Sequence, residues 1–289
     1  MGRRLVGADW WGGGPVTGTG TDRAMLAITR PGPRPHVALA GQMRLTSRSP
    51  RSPTLEDVLD SPEPARPSPT GPRAPIRGVI TDWGGVMTGS IRDMVRVWLD
   101  DEDIDPRHYT AVMRPWVLDA YQVSGNHNPI HALERGESTP EEFERLLAAR
   151  MVCRDGRQVS PDGLLRRMFA GTTYCDPMHA ALQTVREAGL RTGLLSNSWG
   201  MADYPRHLFP SMFDVVVISG EVGMRKPEER IFRHAVGLLG LTPEECLFID
   251  DIDVNVTAAE DVGMTGVLHT DPDATIARLG EILGLPLTG

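Results

Sequence analysis

Four stretches of the 289-residue chain set polar, chemically capable residues behind short apolar runs. In "GVITDWGGV" Asp82 follows an apolar run and precedes the glycine pair Gly84-Gly85; "LLSNSWG" carries Ser196, Asn197 and Trp199. "VGMRKPEERIF" carries Lys226, and "LFIDDIDVN" ends its apolar run on Asp250-Asp251. A carboxylate can attack phosphorus and form an acyl phosphate. Repulsion keeps it from a phosphate dianion unless positive charge compensates, so Asp82 with Asp250 or Asp251 calls for a hard divalent ion such as Mg2+. Lys226 adds a point charge between nucleophile and phosphate. The Ser196 hydroxyl is a donor to phosphate oxygen, with Asn197 beside it as a further phosphate-site candidate. Glycines at 84 and 85 let the backbone curl so that amides and one carbonyl face a ligand. Each piece alone has an ordinary explanation: a helix cap, a solvated acidic pair, a turn, a surface lysine. Their common placement at strand ends, in this order, is what points to phosphoryl transfer. Lys226 stands out further, because the other 29 basic residues are all arginine and a compact ammonium is not interchangeable with a guanidinium.

Residues at strand ends need strands to hold them. Apolar runs at 77–82, 191–196, 214–219, 246–250 and 266–269 predict buried strands, and amphipathic stretches at 178–189, 227–239 and 254–262 predict helices between the later ones. Pro227 suits the first turn of its helix. Such alternation predicts an α/β, Rossmann-like parallel sheet with helices on both faces, whose chemistry gathers at the carboxyl ends of the strands. Residues 91–177 break the alternation and read as helices alone, with "STPEEF" as a helix start capped by Ser138 or Thr139. The expected organisation is therefore an α/β core over 76–90 and 178–289 with a small helical cap, 91–177, inserted after the first strand.

Residues 1–75 carry 12 of the 24 prolines and 10 of the 31 glycines, a composition that predicts a disordered extension. The first 77 residues hold 11 Arg against 6 acidic residues, and the remainder is strongly acidic, which argues against nucleic acid as a partner. No stretch is apolar for long enough to cross a membrane, and no apolar region of a leader peptide follows Met1. Three scattered cysteines, Cys153, Cys175 and Cys246, without metal-ligand spacing, read as thiols of a reducing cytoplasm. Nothing in the pattern sets an oligomeric state.

The four stretches together resemble the four motifs of the haloacid dehalogenase-like (HAD) hydrolase superfamily, in the branch with a small helical cap. "ITDWGGVMTGS" is similar to its first motif, "LLSNSWG" to its second, "GEVGMRKPEERIF" to its third and "LFIDDIDVNVTAAEDVGM" to its fourth; "HALERGESTPEEF" resembles its cap. The likeness spans about 77–285. It implies Mg2+-dependent hydrolysis, with Asp82 as nucleophile and metal ligand, the Gly84 carbonyl, Asp250 and Asp251 as further ligands, Ser196 and Lys226 on phosphate, and Asn255 ordering the last loop. The chain departs from the family's phosphatases at Gly84, where they usually carry a second aspartate that protonates the leaving alcohol; its loss costs about 10²–10⁴-fold. The expected activity is a phosphatase for a small phosphorylated metabolite. A binding or regulatory protein with the same fold, favoured by Gly84, and a metal-free 2-haloacid dehalogenase, opposed by Asp250-Asp251, are the alternatives. Trp83 and Trp199 are candidates to shape the substrate pocket; Trp116 and Tyr121 are weaker ones, because cap aromatics more often pack in a core, and so are His127 and His131, because histidines are more often surface residues than catalytic ones.

Overall fold

The computed structural model describes residues 74–120, 128–200 and 204–287. Five strands, β1 (Gly78–Thr81), β2 (Arg191–Ser196), β3 (Val215–Ile218), β4 (Cys246–Asp250) and β5 (Thr265–Leu268), form one parallel sheet in the order β3-β2-β1-β4-β5. The chain steps outward from β1 through β2 to β3, then returns to place β4 on the other side of β1. That reversal opens a crevice at the carboxyl ends of β1 and β4, where ligands of such sheets bind.

Alternation along the strands decides which helices cover which face. Val79, Leu194, Leu247 and Ile249 point to one side, where they meet Met178, Ala181 and Val185 of α6 (Asp176–Glu187) and Ile276 and Leu279 of α11 (Pro272–Leu283). Ile80, Leu195 and Phe248 point to the other, against Ile231, Phe232 and Val236 of α9 (Glu229–Leu239) and Ala259 of α10 (Asp253–Asp261). Burial on both faces is why these strands read as continuous apolar runs.

Between β1 and α6 lie α1 (Ile91–Asp101), α2 (Pro106–Ala120), α3 (Pro129–Glu134), α4 (Pro140–Ala148) and α5 (Leu164–Met168). They make an apolar cluster of their own around Trp98, Leu99, Tyr109, Met113, Phe143, Leu147 and Leu164. The chain leaves the sheet and returns to it at adjacent points: Thr88 bridges Tyr174, the Gly89 N–H donates to the Thr173 carbonyl at 2.9 Å, and the Cys175 N–H to the Met87 carbonyl at 3.0 Å. Helix α4 starts on the expected capping box, with Thr139 rather than Ser138 as its cap: the Glu142 N–H donates to Thr139 Oγ1 at 3.2 Å, and the Thr139 N–H to Glu142 Oε2 at 2.9 Å.

Several boundaries move. Helix α9 begins at Glu229 rather than at Pro227, because a turn comes first, with the Glu228 N–H bonded to the Arg225 carbonyl at 2.8 Å. Within the stretch read as helices alone, α5 has only five residues, preceded by Gly163 at φ 63°. α7 (Phe209–Met212), α8 (Ser219–Val222), α3 and α11 were not anticipated as elements; the first three are too short to show helical periodicity. The expected disordered extension, apart from Ala74 and Pro75, lies outside the described residues.

Candidate active site

The register of the sheet brings the first and fourth motifs together. Thr81 pairs with Ile249, so the next residues, Asp82 and Asp250, emerge side by side, and the Asp82 N–H donates to the Ile249 carbonyl at 2.9 Å. Lys226 reaches in from the loop after β3. Its Nζ lies 2.8 Å from Asp82 Oδ1 and 2.6 Å from Asp250 Oδ2, and the residue is 1% exposed. Asp250 is fully buried and surrounded by donors: the Ile252 N–H reaches Oδ1 at 2.8 Å, and Asn255 Nδ2 reaches Oδ1 and Oδ2 at 3.1 and 3.2 Å. Asn255 thus orients Asp250, and Asp250 holds Lys226. Asp82 and Asp251 line the cavity above, while Asp250 lies beneath them.

The three carboxylates place one oxygen each within 4.8 Å of one another, and a single ammonium cannot balance them. Burial pushes the Asp82 carboxyl up to about 6, opposed by Lys226 and reinforced by Asp250. Asp251 is raised well above the ordinary carboxylate range by burial and by Asp250 and Asp82. Burial alone would lower Lys226; Asp250 and Asp82 reverse that and raise it, so it stays an ammonium. Asp82 Oδ1 has Lys226 as a close charge and no aligned hydrogen-bond donor. A buried acceptor of this kind, in a cluster with excess negative charge, fits a hard cation.

The second motif faces the same space. Asn197 accepts from the Lys226 N–H through Oδ1 at 2.8 Å and donates through Nδ2 to the Lys226 carbonyl at 3.1 Å. It therefore clamps the lysine's backbone, a role the sequence did not suggest, while also lining the cavity. Ser196 lines it too, its Oγ 2.9 Å from the Tyr204 hydroxyl. Burial pushes the Tyr204 phenol up to about 12, which keeps it protonated.

Gly84 and Gly85 divide their work differently from the expected shared curl. Gly85 has φ 80°, and a β-carbon there would overlap the Asp251 carboxylate. Gly84 is not in the left-handed region, and its nearest obstacle to a β-carbon is Ile91 Cδ1 at 3.2 Å. Trp83 is buried among aromatic rings, with Phe209 at 5.4 Å, His179 at 6.0 Å and Tyr204 at 6.4 Å, and still borders the cavity. Trp199 also borders it and packs edge-on against Phe143 at 5.9 Å and Phe169 at 6.1 Å. Trp116 packs on Phe143 and His131 is buried, both away from the lining; Tyr121 and His127 lie outside the described residues.

The sequence missed the apolar lining residues Ile91, Met94 and Phe169, and two polar ones, Tyr204 and Glu134. Tyr204 sits in a loop without periodicity. Glu134 ends α3 and is buried against Arg225, the residue before Lys226. Its carbonyl accepts from Ser219 Oγ, which in turn accepts from the Ser198 N–H at 2.7 Å. Burial raises the Glu134 carboxyl and Arg225 opposes the shift. This seam ties α3 to the second- and third-motif loops. No composition signal marks it: a six-residue helix shows no period, and Glu134 looks like one more surface acid.

A family model described as haloacid dehalogenase-like hydrolase matches residues 76–263. The chain belongs to this family of hydrolases. The hydrolase is 29% identical over 217 residues to acyl-CoA dehydrogenase family member 10 of Mus musculus, a match covering 73% of this chain and 19% of that protein. It is 30% identical over 148 residues to flavin mononucleotide hydrolase 1 of Arabidopsis thaliana, covering 49% and 60%. To phosphoserine phosphatase of Thermus thermophilus it is 39% identical over 116 residues, covering 36% and 46%. The first curated relatives are longer proteins, of which the matches span 19% to 40%. The hydrolase also shares its fold with a HAD family enzyme of Bacteroides thetaiotaomicron, at a TM-score of 0.50 and 23% identity over 68% of this chain and 94% of that one.

Proposed function

We propose that the hydrolase is a Mg2+-dependent phosphatase acting on a small phosphorylated metabolite through an aspartyl-phosphate at Asp82. The observation that carries this reading is the buried ammonium of Lys226 held between Asp82 and Asp250 at the β1–β4 crevice, with Asp251 beside them. In this reading an Asp82 oxygen attacks phosphorus and the ester P–O bond breaks, its electron pair going to the leaving oxygen. Water then attacks phosphorus, releases inorganic phosphate and restores Asp82. Lys226 holds the nucleophile and stabilises charge on the phosphoryl oxygens, and Ser196 donates to one of them. Asn197 fixes the lysine's loop. Asp82, Asp251 and the Gly84 carbonyl, with Asp250 behind them, are the oxygens that would hold Mg2+. Bound there, the ion would neutralise the phosphate and let the two anions meet. Trp83 and Trp199 would flank the substrate, and residues 91–177 would serve as the cap that closes over it.

Burial raises the Asp82 carboxyl to about 6 while Lys226 beside it favours the ionised form that attacks. Gly84 provides no side-chain acid, so the leaving oxygen takes its proton from solvent. This favours leaving groups that need little help, and it is the one feature that supports the second reading, a protein of this fold that binds but turns over slowly. The phosphatases among the relatives support hydrolysis. Three free thiols fit a cytoplasmic setting. Release of p-nitrophenol from p-nitrophenyl phosphate, measured with Mg2+ and with EDTA, tests the reading: it requires hydrolysis with the metal and none with the chelator. Hydrolysis unaffected by EDTA would remove the metal, and no hydrolysis at all would favour the binding protein.

A further inference from the structure

The cavity has two unlike sides. The strand-end side is charged and polar. The other side is made by Ile91 and Met94 of α1, Phe169 after α5, and Trp199. The wall hydroxyls are already committed: Thr172 Oγ1 donates to the Phe169 carbonyl at 2.6 Å, and Thr88 Oγ1 accepts from the Gly85 N–H at 3.0 Å and donates to the Gly89 carbonyl at 3.1 Å. Glu134, an acid tied to Arg225, belongs to the charged side, near Lys226. Among the described lining residues Lys226 is the sole lysine or arginine, and it is already shared by two carboxylates.

We infer that the substrate is the phosphate monoester of an uncharged alcohol with a hydrocarbon or aromatic body, and that a leaving group carrying a carboxylate or a second phosphate is rejected. The inference rests on the phosphatase reading and sharpens it. The phosphate's charge is met at the strand ends. A second anion would lose its water beside Ile91, Met94, Phe169 and Trp199, with no lysine or arginine besides Lys226 among the described lining residues to receive it. An apolar body would gain from the same burial.

The test separates wall from chemistry by using inhibitors that do not turn over. Alkylphosphonates from methyl to octyl, and 3-phosphonopropionate, are titrated as competitive inhibitors of Mg2+-dependent p-nitrophenyl phosphate hydrolysis. The inhibition constant should fall roughly three- to fourfold per methylene until the wall is filled, which is about 0.8 kcal/mol per CH2. 3-Phosphonopropionate should bind at least roughly tenfold more weakly than butylphosphonate, its closest match in size. Phe169→Ser, at a half-buried position, should flatten the chain-length series; if it does not fold, the wild-type series alone decides. A flat series, or 3-phosphonopropionate binding as tightly as butylphosphonate, overturns the inference and leaves the phosphatase standing. Failure to hydrolyse p-nitrophenyl phosphate removes the phosphatase and this inference with it.

Discussion

The floor of the cavity and the wall above it are built by different rules. The floor is a set of charged side chains whose positions follow from sheet register: Thr81 opposite Ile249 forces Asp82 beside Asp250, and Asn197 and Asn255 lock Lys226 and Asp250 from behind. The wall is a set of apolar side chains presented by α1, the segment after α5 and the loop after β2, whose packing belongs to the cluster around Phe143 and Leu147. In a floor of this kind the charges are coupled: Lys226 is the counter-ion of both Asp82 and Asp250, and Asp251 adds charge that only a further cation would balance. A wall of this kind tolerates changes of shape, and such changes should alter which substrate fits rather than whether chemistry occurs.

The largest break in that contrast should come from Lys226→Met. It keeps much of the side-chain volume but leaves Asp82 and Asp250 buried without their ammonium. Breaking a buried ion pair from one side costs about 3–5 kcal/mol, so chemical unfolding should show a loss of that size, and activity should fall by about 10³-fold or more. A Lys226→Met protein as stable as wild type would mean that the carboxylates are not ionised together.

Next comes Gly84→Asp. Gly84 is outside the left-handed region and only the tip of Ile91 crowds a new β-carbon, so the variant should fold with a small shift of that side chain. If the new carboxyl serves as acid and base, it should speed hydrolysis of high-pKa alcohol esters by up to about 10²–10⁴-fold and flatten the dependence of rate on leaving-group pKa. A Brønsted series of phosphate monoesters on both proteins reads this. Equal slopes would mean that another group already supplies the proton, and Glu134 on the cavity lining would be the first to examine.

A smaller effect distinguishes a metal-holding role of the three carboxylates from ordinary packing. Asp82 has a folded value near 6 against 3.8 when unperturbed, and Asp251 is raised too. An acid whose folded value is raised binds more protons in the native state, so its stabilising contribution is complete below about pH 4 and is lost as pH rises through about 6. Asp251→Asn should therefore raise metal-free stability relative to wild type, more at pH 8 than at pH 4, while weakening Mg2+ binding. Urea unfolding across pH and calorimetric titration of Mg2+ measure the two halves. Lower metal-free stability at pH 8 with unchanged Mg2+ affinity would contradict the assignment.

The same contrast explains what could be read from the chain. The floor was legible because strands buried on both faces leave uninterrupted apolar runs, and the polar residue that ends each run is placed by the sheet. "RTGLLS" and "CLFID" match β2 and β4 residue for residue. The sole lysine, conspicuous by composition, is the 1% exposed hub of the site. The wall was not legible, because Met94 and Phe169 are ordinary apolar residues of helical segments until tertiary packing turns one face toward the cavity. The seam was hidden for a different reason: Glu134 and Arg225 are 91 positions apart, and nothing in either neighbourhood records the partner. Gly84 and Gly85 look equivalent in sequence, and only the backbone shows that Gly85 is the one that must be glycine.

Attack of Asp82 on phosphorus is tested most directly by intact-mass analysis of protein quenched in acid during turnover with Mg2+. One phosphoryl adduct is expected, released by hydroxylamine as an acyl phosphate must be, mapped to Asp82 and absent from Asp82→Asn. Turnover by Asp82→Asn at a rate near wild type, or an adduct that persists in that variant, would contradict it.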